Sequence, residues 1–205
     1  MRRAWRVRTG PAHRGARTSF FLTGDFLRTA AFAPLVRRII ADGHYLGPHS
    51  DKHLLCCDWD SRDKTLVTRD AFVRDVEGNL RAIEAFGVRR GDVRYRVPAC
   101  EWYNADVAAW SASLGVTLVD FTSGTRSNAD YAGEADRNFV SSHRIHESIL
   151  TREREDPHGL NGYLLLLHVG AGPGRADTMH ERLGGLLDDL SARGYRFVRV
   201  DDLLR

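Results

Sequence analysis

Residues 18–53 read TSFFLTGDFLRTAAFAPLVRRIIADGHYLGPHSDKH. Thr18 to Gly24 is a short apolar run of strand length closed by glycine, and Ala33 to Ala41 places Leu35, Val36, Ile39 and Ile40 at helical spacing. His44 to His49 is again of strand type, so the stretch is one strand, helix, strand unit. Gly43 stands where the helix must stop before the second strand begins.

The same alternation continues on the C-terminal side. Arg69 to Phe86 predicts a helix with Phe72, Val73, Val76, Leu80 and Ile83 on one face, stopped at Gly87, and Arg94 to Ala99 predicts a strand. Val107 to Leu114 reads as a helix, Val116 to Thr122 as a strand, and Ser142 to Glu155 as a helix ended by Asp156-Pro157. Gly162 to His168 is apolar on both faces, the pattern of a strand buried within a parallel sheet. A helix from Met179 to Arg193 and a strand from Arg196 to Val200 close the chain. Repeated strand and helix units without a boundary predict one α/β domain, either a barrel or an open doubly wound sheet.

Composition agrees with a globular chain. Of 205 residues, 28% are charged and 42% hydrophobic, which excludes a disordered or fibrous protein. No apolar run approaches the roughly 20 residues of a membrane span, and the N-terminus has no apolar signal stretch, so the chain as written is expected to stay in the cytoplasm. The formal net charge is +3, with arginine concentrated in the first seventeen residues. No recognition fold or aromatic stacking pattern accompanies that arm, so residues 1–16 are expected to be a solvated leader, not a nucleic-acid contact, with the domain spanning 17–205. Cys56, Cys57 and Cys100 are odd in number and two are adjacent, which argues against a disulfide framework.

In barrels and in open α/β sheets, functional groups gather at the carboxyl ends of the strands. His49 ends one predicted strand, Arg96 to Cys100 another, Asp120 lies near the end of a third, and His168 ends a fourth. His49 and His53 are four apart, and a helical turn there would put both imidazoles on one face, within reach of one divalent ion. Set against this is a chance pair of surface histidines, since the spacing alone is a weak signal. His168 follows four leucines, at a position suited to proton transfer or to a hydrogen-bonded core histidine. Arg96 is a cation able to hold a carboxylate, or a partner in a surface ion pair.

Taken in order, the TSFFLTG run, the His-Ser-x-x-His segment at His49 to His53, the Arg-x-Pro segment at Arg96 to Pro98, an Asp-aromatic pair and a Leu-x-His strand end resemble the polysaccharide deacetylase family of carbohydrate esterases. The resemblance runs from about Arg17 to the C-terminus. It implies an α/β fold, a distorted and incomplete (β/α) barrel, and a metal-dependent hydrolase that removes N-acetyl groups from a carbohydrate.

Residue by residue, the resemblance makes His49 and His53 two of three protein ligands to a divalent metal, zinc by preference, with Ser50 supporting the loop between them. His168 matches the general acid that protonates the leaving amine. Asp130 and Tyr131 match the family's Asp-Trp pair, with Asp130 orienting that histidine and Asp120 as a rival. Arg96 matches the arginine that holds a catalytic carboxylate, although the motif aligns one position either way and Ala99 and Cys100 replace the usual aromatic. Tyr131, Trp102 and Cys100 are the expected substrate-binding residues, and Trp59 and Tyr103 are further aromatics for a sugar groove. The family's upstream Asp-Asp pair, which supplies the third ligand and the general base, has no counterpart, because none of the first seventeen residues is acidic. The expectation is a chain lacking its first strand, impaired in turnover, or a catalytically inactive carbohydrate-binding relic.

Overall fold

The computed structural model describes residues 15–170 and 174–204, and these group into two compact units. One comprises Arg17–Asp120 together with Val198–Arg205, and the other contains Phe121–Phe197. The expected leader lies almost wholly outside the described residues.

The first unit opens with β1 (Ser19–Leu22), α1 (Gly24–Arg28), α2 (Ala33–Ala41) and β2 (Tyr45–Pro48). β1 and β2 pair in parallel with Ser19 opposite Tyr45 and Leu22 opposite Pro48, as the strand, helix, strand reading requires. Gly43 closes the helical turn at a φ of 77°, a left-handed conformation that costs glycine little. α3 (Arg69–Glu84) follows, capped by the Thr68 hydroxyl, which accepts the Ala71 N–H at 3.2 Å. Its apolar face buries Phe72, Val76, Leu80 and Ile83, and it packs on α1 and β2. Full burial of such a side chain is worth roughly 1.5–3 kcal/mol, so this face fixes where the rest of α3 lies.

β3 (Tyr95–Arg96) and β4 (Thr117–Leu118) form a second parallel pair, with α4 (Ala105–Ser113) between them in sequence. Asn104 caps α4 by accepting the Val107 N–H at 3.1 Å. The expected final strand at 196–200 is a correction: residues 195–199 have no regular structure, and the chain then forms the short helix α7 (Val200–Leu203). The end is fixed by side chains, not by a ladder. The Val200 N–H donates to the Ser19 hydroxyl at 2.9 Å, and the Tyr95 hydroxyl donates to the Leu204 carbonyl.

The second unit is built on α5 (Ser142–Glu155) and α6 (His180–Ala192). Its core joins Ile145, Ile149, Leu150, Leu160, Met179, Leu186 and Leu190. Here too a strand expectation fails, because residues 163–168 have no regular ladder and are half-buried throughout. Tyr163, Leu165 and Leu167 pack on the helical core, while Leu164 exchanges two bonds with Thr122, each 3.0 Å. The alternation of a strand is present, but one paired residue is too little hydrogen bonding to make a sheet.

Candidate functional site

His49 follows β2 directly, and the chain from His49 to His53 is an irregular loop, not the helical turn expected. Ser50 has φ 129° and His53 φ 56°, which no helix allows. The helical turn is displaced because α3 supplies stronger partners. The Asn79 side-chain oxygen accepts both the His49 and the Ser50 N–H at 2.9 Å, and its NH2 donates to the Leu22 carbonyl at 3.1 Å. One turn earlier, Asp75 accepts the Ser50 hydroxyl at 2.7 Å and the Lys52 N–H at 2.9 Å. Ser50 in turn accepts the Leu54 N–H at 3.0 Å, in keeping with its expected role as loop support.

Asn79 and Asp75 are buried, i and i+4 on the face of α3 that carries its apolar residues. Sequence reasoning missed both. Their only signal is two polar residues, Asp75 and Asn79, interleaved with Phe72, Val76, Leu80 and Ile83 on a face otherwise fit for a core. On the outer side, Asp51 receives both guanidinium nitrogens of Arg28 at 2.7 and 2.9 Å. Gly24 leaves room for that carboxylate, because a Cβ there would lie 1.8 Å from Asp51 Oδ1.

The loop brings the two imidazoles together with ring centroids 5.0 Å apart. His49 Nδ1 lies 3.2 Å from the Val97 carbonyl, which can only accept, so this nitrogen carries the proton and Nε2 is the one a metal would take. Two such nitrogens fit two ligand positions of a zinc-type ion. Among the described residues no group of three or more His, Cys, Asp or Glu side chains forms a metal cluster. The three cysteines are free thiols, and burial pushes Cys56 up to about 11 and raises Cys57 and Cys100, so none offers a ready thiolate.

Arg96 is placed differently from the reading by resemblance. Its guanidinium is almost wholly buried, donating to the Ser111 hydroxyl on α4 at 3.0 Å and lying 5.1 Å over the Phe72 ring of α3. Its Nε has no hydrogen-bond partner and no carboxylate forms an ion pair with it among the described residues. Val97, the next residue, presents its carbonyl to His49, while the Arg96 side chain lies against Phe72 of α3 and Ser111 of α4.

In the second unit the structure brings Asp130 and His168 together. Asp130 is buried, and its two carboxylate oxygens take the His168 backbone N–H at 2.9 Å and His168 Nδ1 at 2.7 Å. A buried carboxylate at Nδ1 fixes the tautomer and the ring, and leaves proton transfer to Nε2. Tyr131 meets the same ring edge-on at 5.5 Å and accepts a hydrogen bond from Asn138 at 2.7 Å. Asp130 is therefore a carboxylate on His168. Of the other expected binding residues, Trp102 and Cys100 lie half-buried in the first unit.

Residues 12–119, more than half of the chain, match the polysaccharide deacetylase family. The chain belongs to this family. An uncharacterised 30.6 kDa protein of Geobacillus stearothermophilus is 24% identical over 196 residues, covering 91% of this chain and 60% of that protein. Among solved structures, a CE4 family pseudoenzyme from Bacillus anthracis aligns with a TM-score of 0.67 at 16% identity, covering 93% of this chain and 56% of that one. A family 4 acetyl xylan esterase from Clostridium thermocellum, solved with a cobalt ion, aligns with a TM-score of 0.67 at 17% identity, covering 92% of this chain and 77% of that one. The chain spans about three fifths of the length of the curated relative it matches. The structural likeness shows the fold, the incomplete (β/α) barrel of the CE4 deacetylases.

Proposed function

We propose that this member of the polysaccharide deacetylase family is a hydrolase that uses a divalent metal, zinc by preference, to remove an acetyl group from the nitrogen of an N-acetylated carbohydrate. The observation that carries the reading is the His49–His53 loop, whose two imidazoles are held 5.0 Å apart by buried side chains of α3. Such an ion, when bound, supplies a Lewis acid for the acetyl carbonyl.

The chain's own residues supply orientation and a proton. The Val97 carbonyl holds His49 by Nδ1, and Asn79 holds the backbone from which that ring projects. Asp130 holds His168 by Nδ1, so that Nε2 delivers a proton to the departing amine nitrogen. Asp130 also stabilises the charged imidazole before that delivery. Tyr131 and Trp102 are assigned to contact the sugar.

A second reading, a carbohydrate-binding protein without turnover, is supported by the missing third metal donor among the described residues. The experiment that separates the two is acetate release from chitin fragments, peptidoglycan fragments and small N-acetyl sugars by zinc-loaded and chelated protein. Release that requires metal and is lost in His49→Ala and His168→Ala supports hydrolysis. Saccharide binding with no release supports the second reading, and neither binding nor release overturns both. Among the described residues no helix is long and apolar enough to cross a membrane.

A further inference from the structure

Two segments meet at His49: the loop that begins at His49 itself, and the stretch after β3, through Val97. The same two segments meet again a few residues on. Trp59 and Trp102 stack with ring centroids 5.7 Å apart and planes inclined by 29°. The Trp102 indole N–H donates to the Asp58 carbonyl at 3.0 Å, Arg62 lies 4.3 Å over the Trp102 ring, and its Nε donates to the Tyr103 carbonyl at 2.6 Å. Every polar edge that would let Trp102 turn is thereby used.

Trp59 lies on the outside of this stack and is 56% exposed. An indole left open to water and backed by a second, anchored indole is a large apolar face presented to a ligand. The backbone points the same way. The four described non-glycine residues with left-handed φ are Ser50, His53, Cys100 and Glu101, at 129°, 56°, 62° and 52°, and all lie in these two segments. Backbone strain of this kind is maintained where a surface must be held in one shape.

We infer that Trp59, backed by Trp102 and Arg62, is a stacking platform for a pyranose ring of a saccharide chain, at a position beyond the sugar whose acetyl group meets His49 and His53. The inference rests on the carbohydrate reading above. A pyranose suits the face because its C–H side is apolar and flat while its hydroxyls stay in water.

The test is binding of chitotetraose and xylotetraose to the full chain, read by tryptophan emission and by calorimetry. The expected result is a shifted indole emission in the unaltered protein, at least tenfold weaker tetrasaccharide binding in Trp59→Ala, and partial recovery in Trp59→Phe. Unchanged affinity in Trp59→Ala, or an unaltered protein that binds neither tetrasaccharide, overturns the platform. The hydrolase reading is judged separately, by acetate release from a small N-acetyl sugar. Release together with indifference to Trp59→Ala removes the platform alone, and binding through Trp59 without release removes hydrolysis alone.

Discussion

His49 and His168 each end a segment whose sequence reads as a strand, yet they are held by very different amounts of structure. His49 follows a paired strand, and its loop is fastened by two buried polar residues of α3. His168 ends a segment with no ladder, and the buried Asp130 carboxylate grips both its backbone and its ring. The His49 loop is therefore over-determined, whereas Asp130 meets His168 at both its backbone and its ring. On the proposed hydrolase reading, loss of Asp130 should act chiefly on chemistry, and loss of an α3 clamp chiefly on folding energy.

The largest effect is expected at Asp130. Asp130→Asn keeps the size of the side chain but removes the charge that supports an imidazolium on His168, and acetate release should fall roughly 10²- to 10⁴-fold. Acetate release measured where both proteins are folded checks it, and unchanged release would refute the assignment of Asp130 to chemistry. Asn79→Ala is expected to do the reverse. It leaves the Ser50 N–H without its acceptor in a buried place and removes the strut to Leu22, so stability should fall by about 3 kcal/mol. Urea unfolding with zinc titration checks it, and unchanged stability would show that the loop holds its shape alone.

Much of this architecture was legible in the sequence because periodicity reports burial. The α2 and α5 boundaries at Ala33–Ala41 and Ser142–Glu155 coincide with the expected ones, since a cap or breaker stands at each end. The strands at 162–168 and 196–200 were misjudged for one reason: an apolar run predicts burial but says nothing of a hydrogen-bonding partner. The histidine pair was legible as a spacing, while its non-helical loop was not, because the groups that impose it come from 25 to 30 residues away on α3. Arg96 was read as a site residue from its motif, and a shift of one residue along a strand carries a side chain to the opposite face.

That shift is itself testable. Arg96 places a charge among Phe72 and Ser111, with its Nε unpartnered among the described residues. The nearby Asp75 carboxylate is already engaged by Ser50 and the Lys52 N–H. A buried charge without an ion pair costs more than its single hydrogen bond returns. Arg96→Met should therefore raise stability by about 2 kcal/mol in urea unfolding and leave zinc affinity at His49 and His53 unchanged. A fall in stability, or weaker zinc binding, would tie the guanidinium to the proposed metal site at His49 and His53 after all.

The smallest effect concerns pH and again separates the two regions. His44 precedes β2, and its Nδ1 accepts the Thr18 N–H at 3.1 Å, a bond that only the neutral ring can make. Burial holds its pKa below the ordinary 6.5, with Arg17 adding to the effect and Asp42 opposing it. Below that ordinary value the unfolded chain takes up a proton that the folded chain resists, so the unfolded state binds more protons and stability rises with pH across the window. The contribution is present above 6.5 and is lost as the pH falls through 6.5 towards the lowered folded value. Urea midpoints measured from about pH 7.5 down to about pH 5.5 should fall for the unaltered chain, and fall less for His44→Gln. Parallel curves for the two proteins would show that the Thr18–His44 bond is not the source of the acid sensitivity.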